Sequence, residues 1–122
     1  MYKIFATQTN PPKPKYIIIT HVPDGGSYCM GMFINSERNA FQQQEHLDNC
    51  FIEVPVSLHP FLSWNSYAAC GDVVTFMNHL MTDQTYQGRI HSDTAADIIR
   101  GAATCPLLRQ GHKKIISALT PP

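Results

Sequence analysis

The sequence predicts a small α+β domain, in which a curved antiparallel sheet is followed by helices near the C-terminus. In the first two thirds of the chain, short runs of β-branched and aromatic residues alternate with turn-forming Pro and Gly. Gly71 and Asp72 interrupt one of these runs, which indicates a bulge or a bend. In the last third, apolar residues recur at helical spacing between residues 95 and 102. Short strands, hairpin turns and an interior bend favour a small, barrel-like sheet.

Length and composition predict one domain spanning residues 1–122. Of these residues 43% are hydrophobic and 15% charged, which is typical of a packed globule. A chain of this length has room for a single core. We expect a Pro-containing N-terminal arm at residues 1–14, a β-barrel region at residues 15–78 and a helical region at residues 92–120.

The first strands are predicted on either side of a strong turn signal. Prolines at positions 11, 12 and 14 exclude residues 1–15 from a central strand, because proline cannot donate to the ladder, so this segment is an arm or an edge element. Residues 16–20 form a β-branched run that indicates a buried strand. The Pro-Asp-Gly-Gly sequence at residues 23–26 favours a tight turn, and residues 27–35 are the return strand of a hairpin.

The middle of the chain predicts two further strand regions. Residues 36–49 are polar and indicate a surface excursion. Residues 50–54 form a third short strand that Pro55 ends. After a loop at residues 63–65, residues 66–77 form the fourth strand region.

The last third predicts two helices. In residues 92–104 the apolar side chains share one face, and Ser92 or Asp93 can cap the first turn. Pro106 ends this helix or starts the next one. A second helical face is formed by Leu108, His112, Ile115 and Leu119.

The net charge and the targeting signals of the sequence limit which partners and which cellular location we expect. Nine basic and nine acidic side chains cancel, so RNA or DNA binding needs a local basic patch. The N-terminus lacks a signal-peptide pattern, and the longest apolar runs are far below the roughly 20 residues that span a bilayer. We therefore expect a cytoplasmic protein with no membrane partner.

The four cysteines, Cys29, Cys50, Cys70 and Cys105, are expected to be reduced and buried. Without an export signal, a reducing cytosol is the default setting. The sequence has no Cys-x-x-Cys pair, no phosphate-binding Gly-rich loop and no His-Glu-x-x-His helix. We expect neither a metal site nor a cofactor.

One cluster of candidate functional residues lies between the third and fourth strand regions. It combines His59 with Trp64, Ser66 and Tyr67. Trp64 and Tyr67 could stack on bases, while Ser66 and His59 contact phosphate or a 2′-hydroxyl. The alternative is a packed loop whose aromatic rings plug the end of a small barrel, because Trp and Phe often anchor cores.

A second candidate cluster lies where the second predicted strand ends. Arg38 could stabilise charge on a phosphorane, and Ser36 could orient an attacking hydroxyl. The alternative is a solvated polar turn.

The order of these segments resembles the MazF/PemK-type toxin superfamily, over roughly residues 13–104. The basic-Pro segment and the hydrophobic strand of residues 13–20 are similar to that superfamily's early strand. The following strand, residues 29–36, ends in a hydroxyl residue as theirs does. The Phe-Ile-Glu-Val strand at residues 51–54 and the Gly-containing entry to a helix at residues 88–92 also match the pattern.

The resemblance implies a small SH3-like curved antiparallel β-barrel with C-terminal helices, often in a homodimer. It implies a metal-independent endoribonuclease that acts on single-stranded RNA and is neutralised by an antitoxin protein. The toxins' basic residue corresponds to Lys13 or Lys15, and their strand-end hydroxyl to Ser36. Lysine replaces the toxins' arginine here, and it presents one point charge instead of a bidentate fork.

Two functional hypotheses follow. In the first, Lys15 or Arg38 stabilises the charge of a cleaving phosphate, Ser36 positions groups, and His59 is an acid or base. In the second, the chain is a non-catalytic binding or regulatory module in a defence or mobile-element context. Convergence of Lys15, Ser36 and Arg38 in one groove would favour the first hypothesis.

Overall fold

The computed structural model describes residues 1–6, 13–23, 25–36 and 45–119, and it confirms the α+β class. Two 3-10 turns, Glu45–Cys50 and Asn78–Leu80, flank the later strands. The regular elements are β1 (Tyr2–Ala6), β2 (Lys13–His21), β3 (Tyr28–Asn35), β4 (Phe51–Val54), β5 (Ser66–Ala69), β6 (Val74–Met77), α1 (Ser92–Thr104) and α2 (Gln110–Ser117). The predicted fourth strand region is thus two strands, separated by a turn at Gly71 as its sequence indicated.

The N-terminal segment contains an edge strand, which was one of the two alternatives expected for it. β1 pairs with β2 from Tyr2 opposite Ile17 to Ala6 opposite Lys13. Pro14 lies in β2 opposite Phe5, near the end of the strand, where its missing N–H costs little. On its other edge, β1 bridges to Tyr86, and the N–H of Lys3 donates to the carbonyl of Thr85 at 2.9 Å.

The six strands form one antiparallel sheet in the order β1-β2-β3-β5-β4, with β6 also paired to β3. One edge of β3 is divided between two partners: residues 28–31 pair with β6, and residues 34–35 pair with β5. Among the described strands, β1 and β4 do not pair with each other, so the sheet is open. The predicted barrel closure is not confirmed.

Gly31 marks the place where the two partners of β3 diverge. A Cβ built on Gly31 would lie 2.4 Å from the carbonyl oxygen of Ile18 in β2. The register between β2 and β3 also shifts between Ile19 and His21, as a β-bulge does. Only a residue without a side chain permits this close approach, which bends the sheet.

The sheet buries apolar side chains on both faces. On one face, Ile18, Met32 and Ile34 pack in a cluster that also contains Ile98 of α1 and Ile116 of α2. On the other face, a second cluster is formed by Ile4, Ile17, Cys29 and Phe76, with partly buried side chains from the 78–81 segment against it. Alternation along β2 and β3 therefore supplies both layers.

The cap of α1 differs from the prediction. The Nδ1 atom of His91 accepts a hydrogen bond from the backbone N–H of Asp93 at 3.1 Å, so His91 is the N-cap. Ser92 is already helical, which excludes it from the cap position. The predicted apolar face is confirmed, because Ile98 and Ala102 are buried. None of the described helices is long and apolar enough to cross a membrane.

Two of the four cysteines form a disulfide, Cys50–Cys105, with Cα atoms 5.1 Å apart. It joins the end of the 3-10 turn before β4 to the residue that follows α1. The expectation of four reduced thiols is wrong for this pair. Cys29 and Cys70 are free and buried, and burial raises the pKa of the Cys70 thiol to about 12.

Candidate functional site

A groove of about 230 Å³ lies at the end of the sheet where β2 begins, β3 ends and β5 begins. We call it the Lys15–Trp64 groove. Its lining consists of Lys13, Pro14, Lys15, Tyr16, Ile34, Ser36, Leu62, Ser63, Trp64 and Ser66. Five residues singled out in the sequence therefore converge there: Lys13, Lys15, Ser36, Trp64 and Ser66.

Lys15 is held in place by residues of β3. Its ammonium group donates a hydrogen bond to Oδ1 of Asn35 and lies 5.8 Å from the centroid of the Phe33 ring. Burial, and secondarily the charge of Lys13, lower the pKa of Lys15 below its usual value. Asn35 was not predicted as a site residue, although its position at the end of β3 beside Ser36 could have suggested it.

The groove lies in a locally basic part of the chain. The first 23 residues contain Lys3, Lys13 and Lys15 but no Asp or Glu. The Nζ atom of Lys3 lies 5.1 Å from the centroid of the Tyr16 ring, and Tyr16 lines the groove. Two lysines, Lys13 and Lys15, thus line the groove, and its described lining includes no carboxylate.

Trp64 is an exposed side chain on a fixed backbone. The Ser66 hydroxyl donates to the carbonyl of Trp64 at 3.1 Å, and Oδ1 of Asn65 accepts from the N–H of Val56 at 2.8 Å. The indole itself is 61% exposed. Trp64 therefore does not pack into the core, although the alternative of a packed loop predicted that it would. Phe61 and Leu62 of the same loop do pack against the core.

Ser36 and Ser66 differ in what their hydroxyls can do. Ser36 is exposed and follows β3 directly. Ser66 is 4% exposed, and its hydroxyl is used to hold the loop. Arg38 lies outside the described residues. Tyr67 is half-buried in β5 between Asn35 and Glu53, and it does not line the groove.

His59 is buried and does not line the groove. Its side chain is fully buried, its Nδ1 atom lies 2.8 Å from the carbonyl oxygen of Pro55, and its Nε2 atom accepts from the N–H of His91 at 3.0 Å. Nδ1 must carry the proton to donate to a carbonyl, so both ring nitrogens are occupied. His59 is therefore left out of the candidate site, and it joins the loop after β4 to the start of α1.

The chemistry of the groove is that of a binding surface. It presents lysine side chains, an exposed indole and a serine hydroxyl. The residues described as its lining include no carboxylate, imidazole or thiol. Within residues 1–6, 13–23, 25–36 and 45–119, no group of three or more His, Cys, Asp or Glu is placed to hold a metal ion.

Comparison with known proteins does not assign the chain to a family. The sequence matches no protein-family model and no curated protein at a significant level. The resemblance to MazF/PemK-type toxins therefore stays a prediction from the sequence pattern. What the site can do follows from the geometry of the Lys15–Trp64 groove.

Proposed function

We propose that this chain is a MazF/PemK-like protein that binds single-stranded RNA in the Lys15–Trp64 groove. The observation that carries the proposal is an exposed indole in the same groove as two lysines. Stacking of a base on an aromatic side chain contributes about 1–3 kcal/mol. The lysines neutralise the adjoining phosphates and release counterions.

The geometry favours a single strand over a duplex. A base can stack on Trp64 only when it is unpaired and unstacked from its neighbours. Lysine presents a point charge without directional base recognition, so we expect little sequence preference. The Ser36 hydroxyl, exposed at the end of β3, can accept from or donate to a 2′-hydroxyl.

The binding experiment is fluorescence anisotropy with a short labelled single-stranded RNA. Trp64→Ala should weaken binding by about tenfold or more, and Trp64→Phe should restore part of the loss. Lys13→Ala/Lys15→Ala should also weaken binding and reduce the slope of log affinity against log salt by about 1.4. The matched control is Lys113→Ala/Lys114→Ala in α2, which removes the same charge away from the groove. Equal losses in both double variants would overturn the proposal.

A second candidate function is metal-independent RNA cleavage, because Lys15 and the exposed Ser36 hydroxyl line the same groove. The 2′-hydroxyl would attack the adjacent phosphorus and form a 2′,3′-cyclic phosphate, the bond from phosphorus to the 5′-oxygen would break, and that oxygen would leave with the proton that Lys15 had taken from the 2′-hydroxyl. Neutral Lys15 could take the proton of the 2′-hydroxyl, and ammonium could stabilise the added charge. Binding ranks first because the described lining offers neither imidazole nor carboxylate.

Cleavage is tested on single-stranded RNA in the presence of EDTA. Products carrying a 2′,3′-cyclic phosphate from wild type, and their loss in both Lys15→Ala and Ser36→Ala/Arg38→Ala, would establish the ribonuclease. If the RNA binds but stays intact, the result would support the hypothesis of a non-catalytic binding module. Product formation that no groove variant reduces would place cleavage outside this site.

The resemblance also implies an SH3-like barrel, a homodimer and an antitoxin partner, and these belong to the same proposal. The division of one β3 edge between β5 and β6 supports a strongly curved sheet of that kind. The Cys50–Cys105 disulfide argues against a reducing compartment, because cytosolic thiols are ordinarily kept reduced. Light scattering of the purified protein tests the homodimer.

A further inference from the structure

Three of the four cysteines lie together in the core, on the face of the sheet that packs against the helices. Cys50, Cys70 and Cys105 are all fully buried members of the cluster that contains Ile98 of α1 and Ile116 of α2. The disulfide joins Cys50 to Cys105 and leaves Cys70 as a free thiol in the same cluster. The fourth cysteine, Cys29, belongs to the cluster on the opposite face of the sheet.

Cys70 lies directly across from Cys50. The ladder of β4 and β5 pairs Phe51 with Ala69, and the backbone N–H of Cys70 extends it by donating to the carbonyl of Cys50 at 2.8 Å. Opposed residues of an antiparallel pair point to the same face, and their Cα atoms are about 5.5 Å apart when they are hydrogen-bonded. A disulfide can span that separation. Cys50 therefore has two cysteines within bonding reach.

The turn after α1 packs against the same end of β5. A Cβ built on Gly71, the residue after Cys70, would lie 3.4 Å from Sγ of Cys105 and 3.0 Å from Cβ of Leu107. Burial raises the pKa of the Cys70 thiol to about 12, so the thiol stays protonated at neutral pH, whereas attack on a disulfide requires the thiolate. The closed structure thus keeps the thiol unreactive beside the bond, and movement of residues 105–108 away from the sheet would admit water and activate it.

From this arrangement, we propose that Cys50 exchanges its disulfide partner between Cys105 and Cys70. The sulfur of Cys70 attacks the sulfur of Cys50, the bond from Cys50 to Cys105 breaks, and a bond from Cys50 to Cys70 forms. The proton lost by Cys70 ends on Cys105, so the step needs neither an oxidant nor a reductant.

The exchange moves a covalent link from one part of the fold to another. Before it, the link ties the residue after α1 to the start of β4. After it, the link closes the base of the β4–β5 hairpin, whose loop carries Trp64, and the C-terminal helices lose their covalent attachment to the sheet. The exchange is a property of the core and does not depend on RNA binding.

The first test removes the present partner. The full-length Cys105→Ala protein is oxidised with glutathione disulfide, quenched with acid, alkylated and mapped by peptide mass spectrometry. Cys50 should pair with Cys70 in preference to Cys29 by about tenfold or more, because only Cys70 shares its face of the sheet. An unfolded chain would show no such preference, since the two sequence separations differ by one residue. Three free thiols, or equal pairing with Cys29 and Cys70, would overturn the proposal.

The second test follows the exchange in the oxidised wild-type protein, whose fold is intact at the start. Dilute protein is held without added thiol at temperatures up to the unfolding midpoint, then quenched, alkylated and mapped. Peptides joined through Cys50 and Cys70 should appear as Cys105 becomes alkylated, about tenfold faster for each rise of about 20 °C, because opening accelerates with temperature. Cys70→Ala is the control and should keep Cys105 unlabelled. Retention of the Cys50–Cys105 bond alone, or transfer of Cys70 to Cys105 instead of Cys50, would refute the exchange.

Discussion

The Nε2 atom of His59 accepts a hydrogen bond from the backbone N–H of His91 at 3.0 Å, and the imidazole of His91 in turn caps α1. Two histidines thus connect the loop after β4 to the first turn of the C-terminal helix. Without His59, the partly buried N–H of His91 would lose its acceptor, and an unpaired donor is costly. This arrangement gives His59 a structural role.

Replacing His59 by Ala should therefore destabilise the fold. The substitution leaves the carbonyl of Pro55 and the N–H of His91 without their partner and opens a cavity, so we expect a loss of about 2–5 kcal/mol in the free energy of unfolding. Urea unfolding measures it, with His79→Ala, an exposed histidine, as the control. RNA affinity of the folded fraction should stay unchanged. A stable His59→Ala protein that no longer binds or cleaves RNA would instead return His59 to the site.

Removing the disulfide should also destabilise the protein. Cys50 and Cys105 close a loop with a sequence separation of 55 residues. Loop-closure entropy then predicts a loss of about 4 kcal/mol for Cys50→Ala/Cys105→Ala, relative to the oxidised wild type. Thermal unfolding with and without dithiothreitol provides the measurement. A reductant should lower the midpoint of wild type and leave that of the double variant unchanged; equal effects on both would contradict the prediction.

The RNA affinity should depend on the charge of Lys15. Because the folded-state pKa of Lys15 is lowered, this side chain loses its proton at a lower pH than a free lysine does. Binding to a phosphate needs the charged form, so affinity should fall as the pH rises through the lowered pKa. Folding stability changes in the opposite direction: the lowered pKa of Lys15 disfavours the charged folded state, so this penalty on folding diminishes as the pH rises. Anisotropy titrations over an alkaline pH series measure the affinity.

Lys15→Arg is the matched variant for this pH series, because arginine keeps its charge throughout. Its RNA affinity should stay more nearly constant where that of wild type declines. Parallel declines in the two proteins would assign the alkaline loss to another group. Circular dichroism at each pH separates loss of binding from unfolding.

Gly31→Ala should disrupt the sheet. The added Cβ would lie 2.4 Å from the carbonyl oxygen of Ile18, and neither strand backbone can move without breaking ladder hydrogen bonds. We expect a loss of more than about 2 kcal/mol. Gly111→Ala in α2 is the control, because its Cβ meets nothing within 4 Å and alanine favours a helix by up to about 1 kcal/mol. Opposite shifts in the unfolding midpoint are expected, and a neutral Gly31→Ala would show that the strands can separate there.

The sequence predicted the elements whose signal is local. The β-branched run of β2, the bend at Gly71 and the apolar period of α1 all depend on near neighbours, and all are present. For residues 1–15 the prolines left an arm and an edge element open, and β1 is an edge strand that ends before the first of these prolines. The open sheet could not be read from local patterns, because closure depends on which distant strand edges meet.

Within the candidate site, the positions of residues near strand ends were the easiest to predict from the sequence. Lys15, Ser36 and Ser66 lie at or next to ends of strands that the sheet brings together, so placing the strands largely placed them. His59 looked equally functional, but its burial and both its partners come from packing that sequence spacing does not reveal. The Cys50–Cys105 pair was missed for the same reason, since its two members meet only through the packing of α1.

The disulfide has a consequence for a chain that meets proteases. A cut at any single peptide bond between Cys50 and Cys105 leaves two fragments that are still covalently joined. The exposed loop that carries Trp64 lies within this span, and exposed loops are where nicking concentrates. A nicked molecule would run as one species on a non-reducing gel and as two after reduction, and both halves of the sheet would stay tethered within reach of each other.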